Sequence, residues 1–543
     1  MKILINKRNI LSNNRSSGHK KYIRPSEYLD LPTLVDGDNK VVLLVKVTEK
    51  GGNYIRLQAT SDYTVDWGDG QPSVNYTSND FADYSIDYNN ISPSTETEYG
   101  YRQAIVTLTP QAGFDLTYFK LGNLIHPDDR ISTTGNINVV DVKMAGSSIT
   151  SLFSSFYNTY GLEQFEFVGT CNVTTLSQAF YICYNLRRVV AIDTSNVTDF
   201  YRCFRQCQLL LEVPKFNFIK ATNVKELYYN NSKIEYIEPY DLDNEAPLIN
   251  NIKAMFFGCG SLAICPILSC FNIQIFTSCF SSNRWGGDFN LDCSNATAVN
   301  QMFSTCVNIE KVNAIFPNNL TNTTYMFDQC SSLTEIRTFD CSNVTDTQFM
   351  FRNTFKLRDL SGFDFSATNN MNYMFINSGI QKSPSQLGGG SMTYFSQGVS
   401  FVRKWGNFNG TPTTSLTRSF LGNLSLEEVP NIVINSITTT FSSTFDSMRN
   451  LTKIPSWDCS TITNAGNWFG SAYRLSEVNA YNMTVTHTYI NCNLMRDEIV
   501  NVFTNLGTAV ASAVITVTGN PGCDLLTTTD LLIAQNKGWT VVY

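Results

Sequence analysis

The chain has 543 residues, enough to bury ample core and to hold two or more domains. Its net charge of −7 argues against general nucleic-acid binding, and only 16% of its residues are charged. No apolar run reaches the ~18–20 residues that a membrane span needs, so membrane insertion is not expected.

Residues 1–36 read as an N-terminal docking arm. Within residues 1–30, Lys2, Lys7, Arg8, Arg15, Lys20, Lys21 and Arg24 are opposed only by Glu27 and Asp30, a net +5 that leaves −12 for the remainder. A basic tail on an acidic body suits an acidic partner surface, and a solvated terminus is the plain alternative. Asn6, Lys7 and Arg8 interrupt the apolar part of the opening segment, and no small-residue cleavage site follows, so it does not read as a secretion signal.

Residues 37–143 carry strand patterns at Val41–Val47, Tyr54–Ala59, Tyr63–Trp67 and Ala104–Thr109. The phrase Thr64-Val-Asp-Trp-Gly-Asp-Gly70 resembles the W-G-D-G signature of PKD-like β-sandwich domains, which are immunoglobulin-like in architecture. The resemblance implies that Trp67 packs in a core and that Asp69-Gly70 makes a hairpin turn. Asp66 and Asp69 offer oxygens to calcium, but a calcium site takes six or more, and turn chemistry is the better reading.

Residues 144–483 repeat. An aromatic is followed by a small residue three places later and a leucine three places after that, as in Phe327-Cys330-Leu333 and Phe351-Thr354-Leu357. Phe156, Phe180 and Phe204 are spaced by 24. Phe256, Phe280, Phe303, Phe327, Phe351 and Phe375 continue at 23 or 24, and Phe420, Phe445 and Phe469 return to the phase. A period of this length marks a solenoid whose units bury their apolar sides against neighbours, and the span holds roughly 14 rungs. The longer intervals after Phe204 and Phe375 contain the polar stretch Pro239–Pro247 and Gly388-Gly389-Gly390, read as loops or kinks leaving the array.

The lines DTSNVTDFYRCFRQCQLLLEV from Asp193 and DCSNVTDTQFMFRNTFKLRDL from Asp340 resemble the BspA-like leucine-rich repeat of surface proteins. That resemblance implies a right-handed solenoid with one short strand per repeat and a role in adhesion or structure, with no catalytic residue. Of the fifteen cysteines, Cys183, Cys207, Cys259, Cys306 and Cys330 share one repeat position with Thr354, Ser378, Asn423 and Ala472. A position open to all of these asks for a small side chain. Buried free thiols are therefore expected, along with maturation in a reducing compartment.

Residues 484–543 read as a small α/β cap. Leu494, Ile499, Val502, Phe503 and Leu506 are at helical spacing, and Val514–Thr518, Thr528–Asn536 and Trp539–Tyr543 follow as strand, helix and strand.

Catalytic signatures are missing. His19, His126 and His487 lie far apart, and no G-x-S-x-G, Walker A or H-E-x-x-H is present. The expected fold is thus mainly β: a PKD-like sandwich, a BspA-type solenoid and an α/β cap. No enzyme activity, cofactor or metal is expected. The leading reading is a virion structural or fibre protein of a tailed phage, made in the host cytoplasm. It would be anchored to other virion proteins by its N-terminal region and be present in several copies, with a host-surface glycan or protein as target. The alternative is a bacterial surface adhesin, and the third reading is a solenoid polysaccharide depolymerase with a pair of carboxylates.

Overall fold

The computed structural model describes residues 20–122, 136–190, 192–409, 413–434 and 436–543. Its contacts divide the chain into two units. The first comprises the residues up to Lys220 with Asn230–Pro239 and Cys259–Pro266, and the second comprises Ala221–Tyr229, Tyr240–Gly258 and Ile267–Tyr543.

In the first unit the run KVVLLVKVT forms β1 (Lys40–Thr48), with Val41 to Val45 all buried. An uninterrupted apolar run of this kind fits a strand covered on both faces. β1 pairs antiparallel with β6 (Tyr101–Pro110) from Val41↔Leu108 to Thr48↔Tyr101, and on its other edge with β8 (Val139–Ala145). β8 then pairs in parallel with β9 (Gln164–Phe167), and β9 in parallel with β10 (Arg188–Val189). With β3 (Tyr63–Asp66) and β4 (Val74–Tyr76) on the far side, the order is β10-β9-β8-β1-β6-β3-β4. One sheet therefore changes from antiparallel to parallel at β8, where the first repeat strands begin. A second sheet, β5-β2-β7, consists of Phe81–Ser85, Tyr54–Ala59 and Phe119–Leu121.

The W-G-D-G turn has a local explanation. Trp67 is buried and stacks on Tyr84 with centroids 4.7 Å apart. Asp66 Oδ1 accepts the Gly68 N–H at 2.9 Å, and Asp69 accepts from Gln71 N–H at 3.1 Å and from the Tyr84 hydroxyl at 2.6 Å. Both carboxylates are engaged in turn geometry. Gly68 has φ +69°, and a Cβ there would lie 2.4 Å from the Ile105 carbonyl oxygen, so the turn can close only with glycine.

The repeats are built by hydrogen bonds between successive rungs. Asp193, Asp292 and Asp340 each accept the N–H of the residue two places on, at 2.8–3.0 Å. These Asx turns let the chain reverse within a short polar phrase. Asn295 and Asn343 donate from Nδ2 to the carbonyls of Phe271 and Asn318 one rung earlier, at 3.0 and 2.9 Å. Thr174, Thr198 and Thr345 do the same from Oγ1 to Thr150, Thr174 and Thr321. The phrase D-x-S-N-V-T is thus a folding code: a turn, a rung-to-rung amide bond, a core valine, and a rung-to-rung hydroxyl bond. Isolated parallel bridges such as Ser151↔Thr175 in the first unit and Asp346↔Asn370 in the second mark the strand position.

Each ladder phenylalanine is buried. In the first unit Phe156, Phe180 and Phe204 stack at 5.2 Å steps with planes within 8°. In the second, Phe303-Phe327-Phe351-Phe375 continue at 5.6–5.8 Å within 7°, and Phe420-Phe445-Phe469 at 5.2–5.5 Å.

The two out-of-phase intervals differ from the expectation of emerging loops. Tyr228 supplies the missing ring before Phe256, stacked at 5.6 Å. Residues Pro239–Pro247 carry a strand, Tyr240–Asp241, paired with Ile267–Ser269, and one helical turn, Leu242–Glu245. Phe395 supplies the ring between Phe375 and Phe420, turned to 87° against Phe375, with Trp405 wedged beside it. The glycine tract does not loop out. Gly388 and Gly389 are buried, and Gly390–Ser391 pairs with Thr413–Ser415. A Cβ on Gly388 or Gly390 would fall 1.9 or 2.2 Å from the preceding rung's carbonyls, so these glycines permit close approach.

The C-terminal segment also departs from a simple plug. Strands Ala465–Gly470, His487–Ile490, Val514–Thr516 and Thr540–Val542 form one parallel sheet, with helices Arg496–Asn505 and Thr528–Gln535 as crossovers. The coil therefore continues past the last phased phenylalanine, and the solenoid has about 17 turns where the sequence period indicates roughly 14. The later turns escaped the count because the period changes and the phenylalanine is lost: Tyr489 pairs with Phe469 after only 20 residues, and the next strands carry Ile515 and Val541 in register with His487.

Candidate recognition surface

The repeat separates side chains that build from side chains that are displayed. On the building side, the small slot after the ladder ring is a hydrogen-bond donor as well as a space filler. In the first unit Cys183 and Cys207 donate from Sγ to the carbonyls of Phe156 and Phe180 at 2.9 and 3.0 Å. In the second, Cys306 and Cys330 donate to Phe280 and Phe303, and Asn283 Nδ2 donates to Phe256 at 3.0 Å. Size alone, as read from the sequence, is an incomplete description of this position. All fifteen cysteines are free, and burial pushes the Cys183, Cys259 and Cys330 thiols up, away from the reactive thiolate.

On the display side, rung after rung holds two non-helical turn residues at positive φ, four apart. In the first unit these are Ser154 and Asn158, Gln178 and Ile182, and Arg202 and Gln206. In the second they include Gln301 and Thr305, Tyr325 and Gln329, Phe349 and Asn353, and Tyr373 and Asn377. Such φ values disfavour branched or bulky residues. Here alternate N–H groups of the turn bond to the next rung, as Tyr325 to Gln348 and Phe327 to Met350, which holds the conformation whatever the side chain.

Four of these positions form a half-buried aromatic seam. Tyr325, Phe349, Tyr373 and Tyr394 stack at 4.5, 4.6 and 5.0 Å with planes within 15°. Arg352 lies 4.6 Å over Phe349 and binds Asp328 through two 2.8 Å bonds, while Arg418 lies 5.5 Å over Tyr394. The ring faces are occupied by one another, so the seam offers ring edges and hydroxyls outward. Sequence reading missed it, although Tyr325, Phe349 and Tyr373 precede ladder rings by two residues and repeat at 24. Elsewhere on the rungs, cations meet carboxylates of adjacent turns, as Lys311–Glu335 at 3.0 Å, Lys382–Asp359 at 2.7 Å and Lys404–Glu428 at 3.0 Å. Such exposed pairs contribute about 0–1 kcal/mol each and act mainly on register.

Of the arm residues singled out in the sequence, Lys2, Lys7, Arg8 and Arg15 lie outside the described residues. Lys20 and Lys21 are exposed. Arg24 is not displayed: its Nε donates to Asp141 at 2.8 Å, and its two Nη groups donate to the Tyr28 and Leu29 carbonyls. The hydroxyls of Tyr22 and Tyr28 both donate to Glu163, at 3.0 and 2.9 Å, and Tyr22 N–H donates to Glu212 at 2.7 Å. Tyr28 packs with Leu44, Tyr101 and Val140, and Leu34 with Val42 and Ala145. Residues 20–36 are thus a strap across the first unit's own sheet and first repeat strands.

His19 and His126 lie outside the described residues. His487 is fully buried against Trp468, Tyr489 and Trp539, with Nδ1 2.9 Å from the Val485 carbonyl. Burial pushes its pKa down to about 4. Among the described residues no cluster of three or more His, Cys, Asp or Glu is placed to hold a metal, and no helix is long and apolar enough to cross a membrane.

Residues 147–264 and 274–386 match the family described as a Mycoplasma protein of unknown function, DUF285. Among solved structures the chain is similar to a leucine rich cell surface protein from Faecalibacterium prausnitzii, at 14% identity over 64% of this chain and 79% of that one, TM-score 0.29. It is also similar to a leucine-rich repeat protein from Bacteroides ovatus, at 12% identity over 80% and 97%, TM-score 0.31. No curated protein matches. The stacked ladder and the parallel rung bridges make the repeat region a β-solenoid.

Proposed function

We propose that the protein is a non-enzymatic recognition solenoid, a bacterial surface adhesin that presents side chains on a repeated turn. One observation carries this reading. The same positive-φ backbone position holds Gln301, Tyr325, Phe349, Tyr373 and Arg418 in the second unit, so the scaffold is constant and the displayed chemistry varies. Repeat solenoids bind partners in this way, over an extended lateral surface. The N-terminal pair of sheets, with Trp67 stacked in its core, serves as a PKD-like spacer in this reading.

The tailed-phage reading drew on a basic arm held by another chain. Tyr22, Arg24, Tyr28 and Leu34 are bound by this chain's own Glu163, Asp141 and β-sheet, which supports the adhesin over the virion protein. The test is location. Cells producing the native chain are treated intact with a protease, and particles are sedimented from the culture medium. Loss of the full-length band from intact cells, with none in the particle fraction, is expected. Protection on intact cells with recovery in particles would overturn the adhesin reading.

A further inference from the structure

One patch of the second unit combines exposed rings with unneutralised charge. Phe355 and Phe401 are 53% and 54% exposed, whereas all six tryptophans are buried. Phe355 belongs to the rung of Phe351 and Phe401 to the rung of Phe395, two rungs on, a separation of about 9–10 Å at strand spacing. The intervening rung places Gly379 there. Gly379 is buried, and a Cβ on it would lie 2.0 Å from both Arg358 Nη1 and the Phe355 carbonyl oxygen, so only glycine leaves room for the guanidinium there.

Arg358 occupies that room. Its Nη1 donates to the carbonyls of Phe355 at 2.8 Å, Leu357 and Gly379, and its guanidinium carbon lies 5.8 Å from the Phe401 ring centroid. The guanidinium is pinned in place, yet the side chain is exposed. Neighbouring cations are neutralised: Lys382 by Asp359, Arg403 by Glu427, and Lys404 by Glu428. Neither Arg358 nor the adjacent, exposed Lys356 forms an ion pair among the described residues.

We infer that Phe355, Arg358, Gly379 and Phe401 form a binding site for a carboxylate-bearing sugar, such as a hexuronic acid unit of a surface glycan. A pyranose ring presents an apolar C–H face that packs on an aromatic face, and its carboxylate matches the planar fork of a guanidinium. Lys356 adds a second positive charge at the rim. An acidic peptide is a poorer match, because peptide strands bind through backbone pairing. Here the Phe355 and Gly379 carbonyls are taken by Arg358, and the Gly379 N–H by the Thr354 carbonyl.

The inference rests on the recognition role proposed above and names its ligand class, and the test separates the two. The full chain is titrated with a hyaluronan tetrasaccharide, with its carboxyl-reduced form, and with a Phe-containing oligoglutamate peptide, at low salt. The acidic tetrasaccharide is expected to bind, with affinity at least tenfold lower for Arg358→Gln, for Phe355→Ala/Phe401→Ala, and for the carboxyl-reduced sugar. Both variants alter exposed side chains, and an unchanged melting temperature shows that each is folded. Gly379→Ala, which displaces the guanidinium, should lose binding in the same way. Equal binding by wild type and variants, or binding of the peptide alone, would overturn the site. If variants that no longer bind the sugar still attach to cells, the adhesin reading stands apart from this ligand. If wild type binds the sugar but no cell surface, the site stands and the adhesin reading fails.

Discussion

Cys330 donates from Sγ to the carbonyl oxygen of Phe303, 27 residues earlier, at 3.0 Å. Cys306 bears the same relationship to Phe280, and Cys207 to Phe180. Each of these ladder carbonyls already accepts the N–H three residues on in its own rung, as Phe303 does from Cys306 at 3.0 Å, and the slot side chain of the next rung adds a second bond. Asn283 donates in the same way to the Phe256 carbonyl, and Asn423 donates to the carbonyl of Ser396, next to the ring of Phe395, so the slot takes Asn even though it is the more polar residue.

Slot substitutions should therefore divide by donor capacity. Cys330→Ser keeps a donor and should cost less than about 1 kcal/mol, while Cys330→Ala loses the side-chain bond, leaves the Phe303 carbonyl with only the Cys306 N–H, and should cost about 0.5–1.5 kcal/mol more. Urea denaturation of the two variants measures the difference. Equal midpoints would leave size as the sole requirement.

Phe327 is fully buried between Phe303 and Phe351, at 5.7 and 5.8 Å. Phe327→Ala should cost about 3–5 kcal/mol, since rings on both sides hold the cavity open. Phe355→Ala, at an exposed position, should stay within about 0.5 kcal/mol. The same denaturation experiment gives both.

Thirteen of the fifteen free cysteines are buried, and Cys265 and Cys523 are half-buried. A thiol reagent should label at most those two rapidly in the native protein, and all fifteen after denaturation without reductant. A shortfall in the denatured count would reveal bridges.

His487 is held near pKa 4 by burial, against an ordinary value of 6.5. The unfolded chain takes up the proton first, so stability declines as pH falls from about 6.5 towards 4. The loss reaches up to about 3 kcal/mol at the lower end. His487→Gln should flatten that part of the pH–stability curve relative to wild type. Parallel curves for the two proteins would assign the acid sensitivity elsewhere.

The strap makes its own prediction. Asp141 is buried, desolvation raises its pKa, and Arg24 is its charge partner at 2.8 Å. Arg24→Ala leaves a buried carboxylate unpaired. The cost should be on the order of 2–3 kcal/mol, below the ~3–5 of a fully buried pair because Arg24 keeps some water contact. Adding Asp141→Asn should recover much of it. A single-variant cost near zero would mean that the strap is held by Tyr28 and Leu34 alone.

The sequence by itself determined the period, the ladder and the slot, because each is a local pattern repeated until chance is excluded. Phe327, Cys330 and Leu333 announce their rung without reference to anything distant. It also located the strands around Val41–Val47 and the helices near Ile499 and Thr528, where apolar spacing is strong.

Tertiary structure decided what depends on the neighbouring rung. The carbonyl that makes the slot a donor position belongs to a residue 27 places away. Gly388 and Gly390 read as a loop because glycine marks turns, yet here they admit the preceding rung's carbonyls. Arg24 counted as a free charge until Asp141, 117 residues on, was brought beside it. Phe355, Gly379 and Phe401 mean nothing in sequence, being 24 and 22 residues apart with unlike side chains. They become one patch because the coil returns the chain to the same side at every turn, which places distant residues at strand spacing while nearest neighbours in sequence turn away.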